Sequence, residues 1–139
     1  MNENLTKARR ILESGNFTCV LCKGDTVLAD DRRGIRPLLT FHRSDYDLQG
    51  FSAADKVVGK AAAFIYLLLG VEAVYAAIIS TPAKQVLENG GVALTYGTEV
   101  PAIRNRTGDG FCPMETATKS ISDPEAALAA IHRTLEKLG

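Results

Sequence analysis

The chain has 139 residues, the length of one compact domain with a single core. Apolar residues make up 46% of it, which excludes a disordered segment. Sixteen basic and sixteen acidic residues cancel. That argues against nucleic acid as the main partner, because a phosphate track needs a basic excess, and leaves room for a local pocket that takes a small anion.

The start, "MNENLTKARR", has no apolar stretch, so no signal peptide is expected. Residues 2–14 read as a helix with Leu5, Ala8 and Leu12 on one stripe and Gly15 after it. "FTCVLCKGDTVLAD" reads as a hairpin turning at "KGD". Residues 31–50 read as a long polar loop, with room for a helical turn, and loops of that length are often functional. Ser52 and Asp55 have the spacing of a capping box, which predicts a helix from Ser52 to Gly70. The run "VVGKAAAFIYLLLGV" within it is broken by Lys60 and is too short to span a membrane. "AVYAAIIS" and "VALTYGTEV" read as strands on either side of a helix "PAKQVLEN". "IRNRTGDG" is a loop, Pro113 opens a short helix to about Ser120, and Asp123-Pro124 opens the last one, with Leu128, Ile131, Leu135 and Leu138 as its core stripe. No linker or repeat divides residues 1–139. Strands alternating with helices after a hairpin predict an α/β domain, a three-layer α/β/α sandwich on a mixed sheet.

Three cysteines without an export signal suit free thiols in a reducing cytoplasm. Cys19 and Cys22 spell C-x-x-C, but inside a strand residues three apart face opposite sides, so two buried structural thiols are expected. Zinc held by Cys19, Cys22 and Cys112 has no support from spacing. Lys56 and Lys60 fall one helical turn apart in the predicted helix, as an exposed stripe or as an anion site, and Gly59 between them suggests that a ligand or another backbone approaches closely. Arg104, Asn105 and Arg106 precede a helix start, where Arg forks onto phosphate or carboxylate unless the loop is simply solvated. With Pro113 first in its helix, Cys112 is the N-cap and Glu115 the third residue, a capping box with sulfur in place of oxygen. The dipole favours a thiolate at Cys112, and Glu115 is either a clamp on the Cys112 N–H or an acid/base beside a nucleophile. His42 and His132 read as solvated, so no general base is evident.

The stretches "DKVVGKAAA", "VYAAIIS" and "IRNRTGDGFCPME", with the hairpin before them, resemble a small bacterial domain-of-unknown-function family within the cytidine-deaminase-like superfamily. Active members of that superfamily hold zinc through an H-x-E motif at the start of the helix after the hairpin and a P-C-x-x-C motif at the next helix, with the Glu as acid/base. The resemblance sets these against Asp55–Val57 and "PAKQV", where Val57, Ala83 and Val86 supply neither a ligand nor a proton. It therefore implies the fold without zinc, with no other cofactor called for. It also implies a cleft for a small anionic, nucleotide-like ligand, lined by Asp55, Lys56, Lys60, Ser80, Arg104, Asn105 and Arg106. Cys112 and Glu115 are the reactive pair if there is chemistry. The competing reading is a non-catalytic sensing or regulatory module. The resemblance allows a homo-oligomer, which no sequence stripe demonstrates.

Overall fold

A computed structural model of the chain describes residues 2–32, 34–104 and 112–138. Helix α1 (Glu3–Ser14) is opened by Asn2, whose carboxamide oxygen accepts the Leu5 N–H at 2.6 Å, and it buries Leu5, Ala8 and Leu12 as the stripe requires. Strands β1 (Cys19–Lys23) and β2 (Thr26–Asp30) form the hairpin, and Gly24 turns it with φ +58°, in the left-handed region that suits glycine. The polar stretch that follows is more ordered than expected. It contains helix α2 (Arg36–Arg43), two turns long, because Ile35, Leu38, Leu39 and Phe41 give it a buried face among the charges.

The largest departure comes next. Residues expected to begin a helix at Ser52 form strand β3 (Ser52–Val58), and helix α3 (Lys60–Leu69) starts only after Gly59. "SAADKVV" has poor strand propensity, yet it lies between two neighbours. It pairs antiparallel with β1 and parallel with β4 (Ala73–Ser80). Ladder bonds on both edges and burial of Ala53 and Ala54 outweigh local preference. The Ser52–Asp55 capping box is therefore absent, and Lys56 and Lys60 do not share a helix face. Helix α4 (Thr81–Asn89) leads to β5 (Ala93–Val100), parallel to β4, and helices α5 (Pro113–Thr118) and α6 (Pro124–Leu138) complete the order. In α6 the buried positions are Ala127, Ala130 and Ile131, while Leu128 and Leu135 are only partly covered and the Leu138 side chain lies outside the described residues.

The chain is thus an α/β protein with a five-stranded mixed sheet in the order β2-β1-β3-β4-β5 and, among the described residues, six helices. Helix α1 covers one face through Val20, Cys22, Ala54 and Tyr75. Helices α3 and α4 lie on the other, over a larger core built on Leu21, Val58, Val74 and Ile79, and α2, α5 and α6 pack against α3. No helix among the described residues is long and apolar enough to cross a membrane. Parallel β3 and β4 bring the starts of α3 and α4 side by side at one end of the sheet.

Candidate functional site

The two helix starts are capped differently. Ser80 is the N-cap of α4, and its hydroxyl accepts the Ala83 N–H at 3.2 Å. Gly59, the N-cap of α3, has no side chain to offer. The missing cap comes from a distant element: the Lys60 N–H donates to Glu115 Oε1 at 2.6 Å. A Cβ on residue 59 would run into that carboxylate, so the glycine is there to admit it. A close approach exists at Gly59, but it is made by the Glu115 and Ile103 side chains and not by the ligand or second backbone that the sequence suggested. The Ser80 hydroxyl lies close enough to the Glu115 carboxylate to favour its charged form. Burial raises the pKa of Glu115, and the Lys60 N–H, the Lys60 charge and the Ser80 hydroxyl offset only part of that rise. Lys60 completes the exchange by donating from Nζ to the Lys119 carbonyl at 2.9 Å, just past the end of α5. Each helix caps the other.

Cys112 is the N-cap residue of α5, as the proline indicated, but its sulfur caps no N–H. The capping box does not form. The Cys112 N–H donates to the Ile103 carbonyl at 3.0 Å, and Glu115 is turned toward Lys60 instead. The thiol is half-buried against the main core. Cys19 and Cys22 are buried free thiols in the two different cores, on opposite faces of the sheet as their spacing predicts.

Among the expected ligand-binding residues, the structure brings Lys60, Ser80 and Glu115 together. Asp55 is 8% exposed, beneath α3. Its carboxylate accepts the Tyr66 O–H at 2.7 Å and the Val57 N–H at 3.2 Å, and Cys19 Sγ lies 3.3 Å from the Tyr66 oxygen. With the tyrosine hydrogen given to Asp55, the thiol donates to the phenol oxygen. Burial lifts the Asp55 pKa to about 6, against the Tyr66 and backbone hydrogen bonds that lower it. Burial, with the nearby Asp55 charge adding to it, also raises the Tyr66 and Cys19 values. Lys56 is exposed on β3, apart from Lys60, and Arg104 is exposed next to Ile103. Asn105 and Arg106 lie outside the described residues.

The strand at 52–58 also removes the helix start on which the resemblance set the H-x-E motif. Asp55–Val57 is not a helix start. The helix after the hairpin is α2, preceded by Gly34 and Ile35, and the next is α3, opened by Gly59-Lys60-Ala61-Ala62-Ala63. Neither helix start carries Cys, His, Asp or Glu, and the one histidine of α2, His42, lies in its last turn, so the donor set still does not fit zinc. Among the described residues no group of three or more His, Cys, Asp or Glu is placed to hold a metal ion.

Between α3 and α4 runs a groove of about 380 Å³, lined by Lys60, Phe64, Leu67, Pro82, Gln85, Val86, Asn89, Gly90, Ile121 and Ser122. Sequence reasoning found only Lys60 among these. The four-residue spacing of Gln85 and Asn89 was the one signal that could have pointed there.

Residues 7–135 match the family model described as a domain of unknown function, DUF1893. A solved structure, the crystal structure of a DUF1893 family protein (TM1506) from Thermotoga maritima, is similar with a TM-score of 0.86 at 27% identity, over 96% of this chain and 91% of that one. No curated protein matches the chain.

Proposed function

The chain belongs to the DUF1893 family, and from that premise we propose that it is a cytidine-deaminase-like α/β/α sandwich that has no zinc chemistry and binds a small anionic, nucleotide-like ligand beside the start of α3. The observation that carries the reading is Lys60. Its ammonium sits where the ends of β3 and β4 deliver two helix starts, the region where ligands of open α/β sheets collect. No carboxylate lies within ion-pair distance of it among the described residues. Ser80 is adjacent, Arg104 adds positive charge, and Asn105 and Arg106, which lie outside the described residues, are included for their side-chain chemistry alone. Lys56 and Asp55 support the site from β3, Lys56 by charge at long range and Asp55 by holding Tyr66 on the buried face of α3.

The test is the melting temperature of the protein in millimolar nucleoside monophosphates, against inorganic phosphate. A ligand that binds only the native state raises stability by mass action. Wild type is expected to gain, and Lys60→Met, which keeps the stem and removes the charge, is expected to lose most of the gain. A wild type indifferent to every nucleotide removes the reading. Purified protein is expected to carry no stoichiometric zinc by elemental analysis, and one zinc per chain would overturn that part.

Non-catalytic sensing has one specific observation in its favour. Glu115, the proposed acid/base partner of Cys112, is committed to Lys60 and Ser80. In a sensing module Cys112→Ser keeps ligand affinity. A cysteine-using enzyme instead requires Cys112 to consume a nucleotide-derived electrophile, and Cys112→Ser then abolishes turnover.

A further inference from the structure

We propose that the groove between α3 and α4 holds the flat apolar body of the anionic ligand, and that the side-chain amides of Gln85 and Asn89 read its polar edge. This rests on the ligand-binding reading above and places the ligand more narrowly.

The amide end of α3 is already filled by Glu115, whose carboxylate accepts the Lys60 N–H. A second anion there meets like charge. The ammonium of the same lysine is the remaining attraction, and it lies on the groove wall, 5.7 Å from the centre of the Phe64 ring. The volume of the groove, about 380 Å³, is within the range of small-ligand sites. Phe64, Leu67, Pro82, Val86 and Ile121 supply the apolar part of a lining that is otherwise polar, and no acidic residue lines it. The charge balance of the groove is therefore that of the lysine alone, which matches an anionic head on an uncharged body.

Gln85 and Asn89 stand one turn apart on α4, on one face of the helix. Both are exposed, and neither side-chain amide has a hydrogen-bond partner among the described residues. Each presents an acceptor and two donors, the complement of a heteroaromatic edge that carries a donor beside an acceptor. A cation at one end, an apolar floor and two unengaged amides along one wall select a planar heterocycle joined to a phosphate or carboxylate.

Equilibrium dialysis of the full chain separates this from the broader reading. The probes are adenosine, cytidine, guanosine and uridine monophosphates and ribose 5-phosphate. The best nucleotide is expected to bind at least about tenfold tighter than ribose 5-phosphate. The exposed double variant Gln85→Ala/Asn89→Ala is expected to weaken it about tenfold and to flatten the preference among bases, at an unchanged melting temperature. Backbone amide shifts on binding should centre on residues 64–67 and 85–90. If ribose 5-phosphate binds as well as the best nucleotide, or the double variant keeps both affinity and preference, the groove assignment falls while anion binding stands. If no probe binds wild type at millimolar concentration, both fall.

Discussion

Asp55 is the residue whose environment departs most from its ordinary chemistry. A carboxylate 8% exposed, with one phenol and backbone N–H groups around it, titrates at about 6 in the folded chain against 3.8 as a free side chain. From about pH 4 to pH 6 the unfolded chain has released this proton and the folded one still holds it. Stability contributed by this group therefore falls as pH rises through that window and stays low above it. The size is about 3 kcal/mol at 1.36 kcal/mol per pH unit. Asp55→Asn removes the charge and can still bond both Val57 and Tyr66. Urea midpoints at pH 4, 5, 6 and 7 are expected to show the variant gaining on wild type up to about pH 6, and level with it near pH 4. A difference that does not change with pH would mean that Asp55 does not titrate in this range.

At the scale of elements, the reciprocal capping of α3 and α5 is the contact most open to test. Glu115→Ala leaves the Lys60 N–H at a half-buried helix start without its acceptor, and it also loses a carboxylate at the positive end of α3. Thermal or urea unfolding is expected to show a loss of about 1–3 kcal/mol. Ser80→Ala, which removes the α4 cap at Ala83, is expected to cost about 1 kcal/mol. Equal stability of Glu115→Ala and wild type would show that α5 is held by Met114 and Thr118 alone. These contacts also show where the sequence was readable. Helix α1, the hairpin, β4, α4, β5 and the proline-opened starts of α5 and α6 follow from local periodicity and turn residues. Strand β3 does not, because "SAADKVV" becomes a strand only between β1 and β4, and nothing local announces those partners. The error at β3 then carried Lys56 onto the wrong element and put a helix start at Asp55–Val57 where the chain is a strand. Ser80 was legible as the polar end of a strand ahead of a proline-opened helix, whereas Lys60 drew notice only as a charge inside an apolar run and was placed in a helix interior, not at the helix start the structure gives it. The link from Glu115 to Lys60 spans fifty-five residues and is a tertiary fact.

In the molecule as a whole, the sheet separates two cores of unequal size, and the cysteines sample both. Cys19 belongs to the large core under α3, and Cys22 to the small one, where α1 contributes Leu5, Ala8 and Leu12. Two buried leucines and an alanine amount to roughly 4–6 kcal/mol of burial, at the low end of the stability of a whole domain. Detaching α1 is therefore expected to need less free energy than unfolding the sheet and its other helices. Native-state alkylation in subdenaturing urea should then label the thiols in the order Cys112, Cys22, Cys19. Cys112 reacts first because it is half-exposed. Cys22 follows with a shallow urea dependence because only one helix must lift. Cys19 reacts last, with the steep dependence of global unfolding, because α3 and the Tyr66–Asp55 contact cover it. Equal rates and equal slopes for Cys19 and Cys22 would show that the two cores melt as one unit. A Cys112 as slow as the others would remove the premise of the cysteine-using reading, since a nucleophile that iodoacetamide cannot reach has no path to a substrate either.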